Sequence, residues 1–469
     1  MKKMLASMTA LLLISSCAVG PDYNKVSYDT PLNWESDSFK LGKMRLEKWW
    51  EVFGDNDLND LIKLTKSKNP DIKMASLRLS QADLMINVSE SLLYPSLSTS
   101  PYLKRDKQSE TLKPEAMGKS ANVYGLDLTA SWELDIWGKT RRNLEASQAN
   151  FELSKASYDD ILVVLYSNVA SNYNNLRTLQ KRLRVMEKNV KAQQSTLEIV
   201  KKKYEAQLVS ELDVLRATQN LKSSEAMLPE LRGGILKVKN ILSMLVGVKA
   251  SELNYLLKDE GEVLKLKENV EIAIPAEVLR QRPDIRMAEA ELKMQTALIG
   301  VKKADLLPTL SISGVFGFGA NSSGLFRAEN QIWSLGGASF LTLFDFNRIK
   351  NLVKIEELKA KSSLYNYEKV VLNALVEVEN SIVSYVSEDE KQKSLEIASN
   401  ASARAVEQVK ALYENGLTDF QNVLSAERDL LMQQDNLIQS KGLKNNAIIS
   451  LYKSFGGGWQ NQEVEENEK

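Results

Sequence analysis

Residues 70–100, PDIKMASLRLSQADLMINVSESLLYPSLSTS, align without a gap to residues 283–313, PDIRMAEAELKMQTALIGVKKADLLPTLSIS. Pro70, Asp71 and Ile72 recur as Pro283, Asp284 and Ile285, and Met74 and Ala75 as Met287 and Ala288. Further on, Leu79, Ile86, Val88, Leu93, Pro95 and Leu97 match Leu292, Ile299, Val301, Leu306, Pro308 and Leu310. A second block pairs Val200, Tyr204, Glu205, Leu208, Val214, Leu215 and Ala217 with Val409, Tyr413, Glu414, Leu417, Val423, Leu424 and Ala426. The offset is about 210 residues in both blocks, so the chain is two copies of one unit, and that duplication frames every motif within it.

Each unit runs in the same order. A helical stretch, 75–92 or 288–306, leads through Pro-x-Leu into a strand-like segment, and a very long helical segment follows. In the first unit Leu126, Leu128, Ala130, Trp132 and Leu134 alternate with Asp127, Thr129, Ser131, Glu133 and Asp135, the apolar-out, polar-in period of a membrane barrel strand. In the second, Ile312, Phe316 and Phe318 share one parity, and Trp333, Leu335, Leu341 and Leu343 share another. The stretch from Gly317 to Gly324 reads as the loop between these two strands. Pro101 fits an edge strand best. Alternation alone suits a sandwich as well as a membrane barrel, but the strand count separates them. Four strands cannot close a barrel, an open edge cannot survive in hydrocarbon, and an eight-stranded barrel is filled by its own side chains. A water-filled pore therefore needs at least three copies of this chain. Asp127, Glu133 and Asp135 are then expected to hydrate the bore.

From about 139 to 206, and from about 349 to 415, there is no proline and hardly any glycine. Such a segment is roughly 100 Å long as a helix. Leu162, Val163, Leu165, Val169 and Tyr173, then Leu176, Leu179, Leu183 and Met186, recur at mixed spacings of three and four. Both units reverse at matching points, Glu205-Ala206-Gln207-Leu208 and Glu414-Asn415-Gly416-Leu417, and Asn-Gly tolerates the positive φ of a helical hairpin tip. The return helices run to about 246 and 456, with Pro229 and Gly233-Gly234 expected to interrupt the first.

Lys2 and Lys3 followed by the apolar or small stretch 4–14 read as an export signal too short to span a bilayer. It ends at Ile14-Ser15-Ser16-Cys17, which resembles a bacterial lipobox, so Cys17 is the expected lipidation site and the mature N-terminus. Cys17 is the only cysteine, which excludes an internal disulfide, and Ala18 rather than Asp follows it. With 43% hydrophobic but only 7% aromatic residues, and 26% charged, the composition suits long amphipathic helices. Lys plus Arg and Asp plus Glu balance at 61 each, so no global field favours nucleic acid. Histidine is absent, which removes the commonest general base and metal ligand; no metal or catalytic site is expected.

Several segments are similar to TolC-type outer-membrane efflux proteins, in the NodT- and OprM-like lipoprotein branch associated with resistance-nodulation-division pumps. They are Cys17-Ala18-Val19-Gly20-Pro21-Asp22-Tyr23, Trp49-Trp50-Glu51-Val52-Phe53-Gly54-Asp55, Ser131-Trp132-Glu133-Leu134-Asp135-Ile136-Trp137-Gly138, Ile274-Pro275-Ala276-Glu277, Arg280-Gln281-Arg282-Pro283-Asp284-Ile285-Arg286 and Leu451-Tyr452-Lys453-Ser454-Phe455-Gly456-Gly457-Gly458-Trp459. The resemblance implies a mixed, mainly α fold: antiparallel helical hairpins forming a periplasmic α-barrel, and a transmembrane β-barrel completed by a homotrimer with four strands per chain. It implies an exit duct for small molecules in the outer membrane, partnered by a periplasmic adaptor and an inner-membrane pump. It implies no cofactor beyond a covalent diacylglyceryl and N-acyl lipid on Cys17, which would hold the chain at outer-membrane lipid. The family's tip motif, a glycine and a small apolar pair touching the adaptor, maps onto Gly416, Leu417 and Thr418. In the first unit Gln207 replaces the glycine, with Leu208 and Val209 following. The acidic positions that narrow the family's periplasmic aperture are Asn422 and Ser425 here, and Asp213 stands at the equivalent place in the first unit. Asp213 reads either as an aperture carboxylate or as a solvated surface residue. Trp132 and Trp137 suit an interfacial aromatic belt, although a packed strand-to-helix corner fits Trp137 equally. Arg282 and Asp284 suit a structural ion pair at a helix start.

The expected layout is a signal peptide over 1–16, an N-terminal arm and equatorial segment over 17–69, a first repeat over 70–270 and a second over 271–459, with a polar tail over 460–469. The strands are expected at about 95–135 and 310–344, and the helical hairpins at about 139–247 and 348–455. Two other readings remain open at this point. One is an exit duct for type I protein secretion. The other is a periplasmic coiled-coil lipoprotein scaffold, which leaves the strand pairs unexplained.

Overall fold

The computed structural model describes residues 18–26, 45–107, 120–258, 261–266, 280–321 and 324–460; Cys17, the signal stretch and the tail beyond Gln460 lie outside the described residues. The chain forms two compact units. One takes residues 1–27, 78–155 and 287–368, the other residues 28–77, 156–286 and 369–469.

The first unit holds the sheet. Strands β1 (Ser96–Lys107), β2 (Ser120–Glu133), β3 (Thr309–Ala320) and β4 (Gln331–Phe340) pair antiparallel in that order. The register sets Leu97 opposite Ala130, Leu128 opposite Phe316, Trp132 opposite Ile312, Phe316 opposite Trp333 and Gly314 opposite Leu335. Directly opposed residues share a face, so the apolar parity of all four strands lies on one side. That side is exposed, with Trp333 at 75% and Leu335 at 76%. Ser98, Ser100, Asp127, Thr129, Ser131, Ser311 and Ser313 take the other. Pro101 sits in β1, an edge strand of the sheet, the kind of strand in which proline is tolerated.

Two sequence expectations about these strands need correction. β3 continues to Ala320, so the first half of the stretch from Gly317 to Gly324 is strand and not loop; the glycine at 317 lets the Asp127 side chain fold against the backbone opposite it. β4 stops at Phe340, which leaves Leu341 and Leu343 in the connection beyond it. There Phe346 (φ 54°) and Asn347 (φ 64°) turn the chain left-handed into the next helix, whose Ile349 amide donates to Asp345 Oδ2 at 2.9 Å.

Helix α1 (Asn56–Lys68) is capped by Asp55, whose Oδ1 accepts from the Leu58 amide at 3.0 Å. Helix α2 (Pro70–Ser91) starts five residues before the expected 75. Proline suits a first helical position, and Asn69 Oδ1 accepts from the amides of Asp71 (2.7 Å) and Ile72 (3.1 Å). The long helices α3 (Lys139–Glu205) and α6 (Arg348–Glu414) have 67 residues each. Their returns are α4 (Glu211–Val246) and α7 (Phe420–Ser454), and α5 (Pro283–Ala304) repeats α2. Pro229 does not interrupt α4, contrary to expectation. A proline forfeits one helical hydrogen bond, and here the buried stripe of Leu221, Ser224, Leu231, Ile235, Leu242 and Val246 holds the helix together on both sides of it.

The core of the second unit gathers Leu58, Leu61, Leu162, Tyr166, Tyr173, Leu242, Leu451 and Phe455. Trp49 stacks on Tyr452 with ring centroids 5.3 Å apart, and Trp50 meets Tyr166 edge-on at 5.2 Å. The Arg282–Asp284 pair forms at the start of α5, with Nε to Oδ1 at 3.0 Å and Nη2 to Oδ2 at 2.7 Å, and Glu377 accepts from the same guanidinium at 2.8 Å.

Asp135 belongs to a helix end and not to the bore. Its carboxylate accepts from the Thr140 amide at 2.8 Å and the Arg141 amide at 3.0 Å, which caps α3 where the helix leaves the sheet. Both tryptophans of this region reach carbonyls at the strand-to-helix corners: Trp137 Nε1 donates to Pro308 O at 2.7 Å and Trp132 Nε1 to Leu93 O at 2.9 Å. Loss of the cap in Asp135→Ala is expected to lower stability by about 1 kcal/mol. It should appear as an earlier helical melt by circular dichroism, whereas Glu133→Ala, at an exposed position of the polar face, should melt with the parent chain.

Candidate functional site

The two hairpin ends close by the same hydrogen bonds although their residues differ. At the first, the Gln207 amide donates to Tyr204 O at 2.8 Å and the Leu208 amide to Lys203 O at 2.9 Å. At the second, the Gly416 amide donates to Tyr413 O at 3.1 Å and the Leu417 amide to Leu412 O at 2.9 Å. This is the Schellman arrangement, and its penultimate residue is left-handed in both: φ is 58° at Gln207 and 73° at Gly416. Gln207 therefore adopts the geometry that the sequence associates with glycine, at a cost of roughly 1–2 kcal/mol for a residue bearing a Cβ.

Leu208 and Leu417 stand at equivalent positions, each 73% exposed, while Val209 and Thr418 are half-buried. Below them Leu197, Val200, Ala217, Leu221, Tyr413, Phe420, Val423 and Leu424 form a small apolar cluster shared by both hairpins. Lys203 links the two ends directly: its Nζ donates to Tyr413 O at 3.0 Å and lies 4.3 Å from the centre of the Tyr413 ring.

Asp213 is half-buried in the first turn of α4 and accepts from Ser210 Oγ at 3.3 Å. It lies close enough to Tyr413 to add to a shift of that phenol: burial pushes the Tyr413 pKa up, and the Asp213 charge pushes it further. Asn422 is exposed, and its Nδ2 donates to Thr418 Oγ1 at 2.9 Å; Ser425 is half-buried. One residue that the sequence reading passed over sits just above the cluster. Glu427 is 6% exposed, and its carboxylate takes Lys410 Nζ at 2.7 Å, Thr196 Oγ1 at 2.9 Å and Asn220 Nδ2 at 3.4 Å.

The N-terminal arm is the other unexpected feature. The Val19 amide donates to Trp137 O at 3.0 Å, and the buried Arg142 guanidinium reaches Val19 O (3.3 Å), Gly20 O (3.4 Å) and Asp22 Oδ1 (2.6 Å). Gly20, at φ 110°, crosses the α5 backbone at Gly300, where a Cβ on either residue would overlap the other segment. Tyr23 then donates to Glu289 at 3.0 Å, which places the arm against helices of both repeats. The legible signal was Gly300, a glycine in the interior of a periodic helix, which marks close backbone approach. Nothing in the sequence singled out Arg142.

Among the described residues no group of His, Cys, Asp and Glu has the arrangement of a metal site, and no helix is long and apolar enough to cross a membrane. The sheet, by contrast, turns one apolar face outward, with Trp333 and Leu335 exposed.

A family model described as "Outer membrane efflux protein" matches residues 61–248 and 274–457, one match in each repeat. The chain is 28% identical over 453 residues to Nodulation protein T of Rhizobium leguminosarum bv. trifolii, covering 96% of each. It is 25% identical over 456 residues to the cation efflux system protein CusC of Escherichia coli K12, covering 95% of this chain and 97% of that one. Among solved structures it is similar to the outer-membrane channel OprN, at 31% identity and a TM-score of 0.88 over 95% of this chain and 100% of that one. It is likewise similar to the CmeC outer membrane channel of Campylobacter jejuni, at 25% identity and a TM-score of 0.88 over 95% and 96% of the two chains.

The tip geometry has opposite consequences for the two hairpins. Gln207→Gly relieves the left-handed strain and should stabilise its tip by about 1 kcal/mol, whereas Gly416→Ala, with nothing within 4 Å of the new Cβ, should lose about 1–2 kcal/mol to strain alone. Hydrogen exchange at the Leu208 and Leu417 amides reads both effects: slower in the first variant, faster in the second.

Proposed function

The chain belongs to the outer membrane efflux protein family, and on that premise we propose that it is the exit duct of a tripartite pump, through which small molecules such as drugs and toxic compounds leave passively. It is an outer-membrane protein. The observation that carries the proposal is the sheet: four strands with one exposed apolar face, two edges unpaired among the described residues, and a polar opposite face. Three copies of that sheet give twelve strands with no free edge, wide enough for a water-filled bore. A homotrimer therefore completes the barrel, and the long hairpins continue its lumen into the periplasm.

The inner-membrane pump, of the resistance-nodulation-division type, supplies the energy and chooses the cargo. A periplasmic adaptor docks on the hairpin tips, where Leu208 and Leu417 are exposed and Gln207, Val209, Gly416 and Thr418 shape the turns. Asp213 of each copy borders the periplasmic aperture, and Asn422 and Ser425 line it without charge. The duct performs no chemistry of its own. Residues 1–16 direct export, and Cys17 carries the lipid that, with the arm over 17–69, holds the chain at the membrane. The repeats over 70–270 and 271–459 each supply two strands and one hairpin, and 460–469 form a tail. A scaffold lipoprotein would have no use for the exposed aromatic face of the sheet.

Purified protein in planar bilayers tests this reading: it should conduct, and no channels would refute it. Asp213→Ala channels should lose part of their cation preference, because a carboxylate repeated by threefold symmetry biases a narrow aperture toward cations. Unchanged ion selectivity would remove Asp213 from the aperture. A Cys17→Ala chain behind a cleavable signal should still conduct, since strands and not acyl chains form the pore.

A further inference from the structure

On the polar face of the sheet, the bulk is laid sideways over glycines. Tyr102 of β1 stands opposite Gly125 of β2, and Gly125 stands opposite Gly319 of β3. A Cβ built on Gly125 would fall inside the Tyr102 ring, so the phenol lies flat across β2 and buries that glycine. Its hydroxyl extends to 3.5 Å from the place where a Cβ on Gly319 would stand. The next rung of this face repeats the pattern: Asp127 opposes Gly317, and a Cβ there would overlap the carboxylate.

Backbone conformation does not explain these glycines, because none of the three has a positive φ. Strand interiors disfavour glycine, which offers no side chain to pack and leaves the ladder entropically weaker. Gly125 and Gly317 each have a larger side chain from the facing strand resting on them, and Gly319 meets the far end of the same Tyr102 ring at an ordinary contact distance. Around them the same face carries the small Ser98, Ser100, Thr129, Ser131 and Ser313, together with the larger Lys104, Val123, Val315 and Ile332.

We propose that Gly125 is a shelf that holds the Tyr102 ring flat against the wall, and that Tyr102 is thereby the side chain whose rotamer sets the width of the duct at its level. The inference rests on the duct reading, in which the polar face lines the bore. With a methyl group at 125 the ring cannot keep its present rotamer. χ1 has only three staggered wells, so the phenol leaves the wall. In a trimer three rings do so at one height, and the bore narrows there.

Single-channel conductance of the assembled protein tests the shelf. Gly125→Ala should conduct less than the parent, outside the channel-to-channel spread, while Gly319→Ala, whose new methyl makes only an ordinary contact with the hydroxyl, should conduct as the parent does. Adding Tyr102→Ala to Gly125→Ala should restore conductance. Parent-like conductance in Gly125→Ala overturns the proposal, and so does a double variant that stays low, because the loss would then come from the sheet and not from the ring. Size-exclusion chromatography and circular dichroism show that each variant is assembled and folded; should Gly125→Ala not assemble, Tyr102→Phe and Tyr102→Trp on the parent glycine replace it, with lower conductance expected only for Trp, and equal conductance of the two overturning the shelf. Failure of the parent protein to conduct would refute the duct itself and would be recognised before any variant is compared.

Discussion

A backbone N–H or C=O left unpaired in hydrocarbon costs several kcal/mol, and much of this chain follows from that one constraint. The sheet presents Leu97, Leu128, Phe316, Trp333 and Leu335 on its apolar face, so it cannot stay in water. It also ends in two strands, β1 and β4, whose outer edges have no partner among the described residues, so alone it cannot stay in lipid either. Only closure with further copies satisfies both conditions. Duplication serves the same end, since each repeat contributes one antiparallel pair and the β2–β3 pairing joins the two pairs into one surface. Pro101 lies in β1, at the edge of the four-stranded sheet of the single chain.

Strands that must tilt into a barrel give way within a few residues to helices of 67 residues, and each repeat solves that corner with its own chemistry. In the first, Asp135 caps α3, Gly138 takes φ 77° and Trp137 donates to Pro308 O across the repeats. In the second, Asp345 caps α6 and two residues with side chains, Phe346 and Asn347, carry the left-handed turn. Gly138 has a further reason to lack a side chain, since a Cβ there would overlap Ala18 of the arm. The arm thus stitches the first corner to α5 through Gly300 and Glu289.

How much of this could be read from the residues depends on whether the determining interaction is periodic or singular. The duplication, the parity of β2 and the extent of α3 and α6 were legible because many residues vote together, and the sheet and helices appear there. Asp135 was misread because its parity in the alternating run points to the bore; a carboxylate just past the end of a strand is equally placed to cap the following helix, and only the chain path decides. Pro229 was misread for the opposite reason, since a local breaker rule lost to burial distributed along α4. Gly317 looked like loop composition because the side chain that needs it, Asp127, comes from a strand distant in sequence, and Gly319 because strand pairing and not local composition decides its place. At the tips, the tolerance of Asn-Gly for positive φ was correctly assigned to Gly416. The same bonds around Gln207 show that the turn is imposed by the helices it joins and not by the residue in it.

Glu427 belongs with these singular features and bears on how the tips are aligned. Long helices packed by spacings of three and four offer near-equivalent registers one heptad apart, and an apolar cluster such as that of Val200, Leu221, Tyr413 and Val423 penalises such a slip only weakly. A buried carboxylate behaves differently. Its partners Thr196, Asn220 and Lys410 come from α3, α4 and α6, so all four long helices meet at one polar point just above the hairpin ends. Slipping any helix by a turn would leave a charge buried without its partners, at a cost of several kcal/mol, although in its proper place the pair adds little net stability over an apolar substitute. The knot is therefore best understood as a register device. It lies just above the two hairpin ends, while Arg182 with Asp435, and Asn174 with Asn445 and Asn446, tie α3 to α7 farther along the same helices.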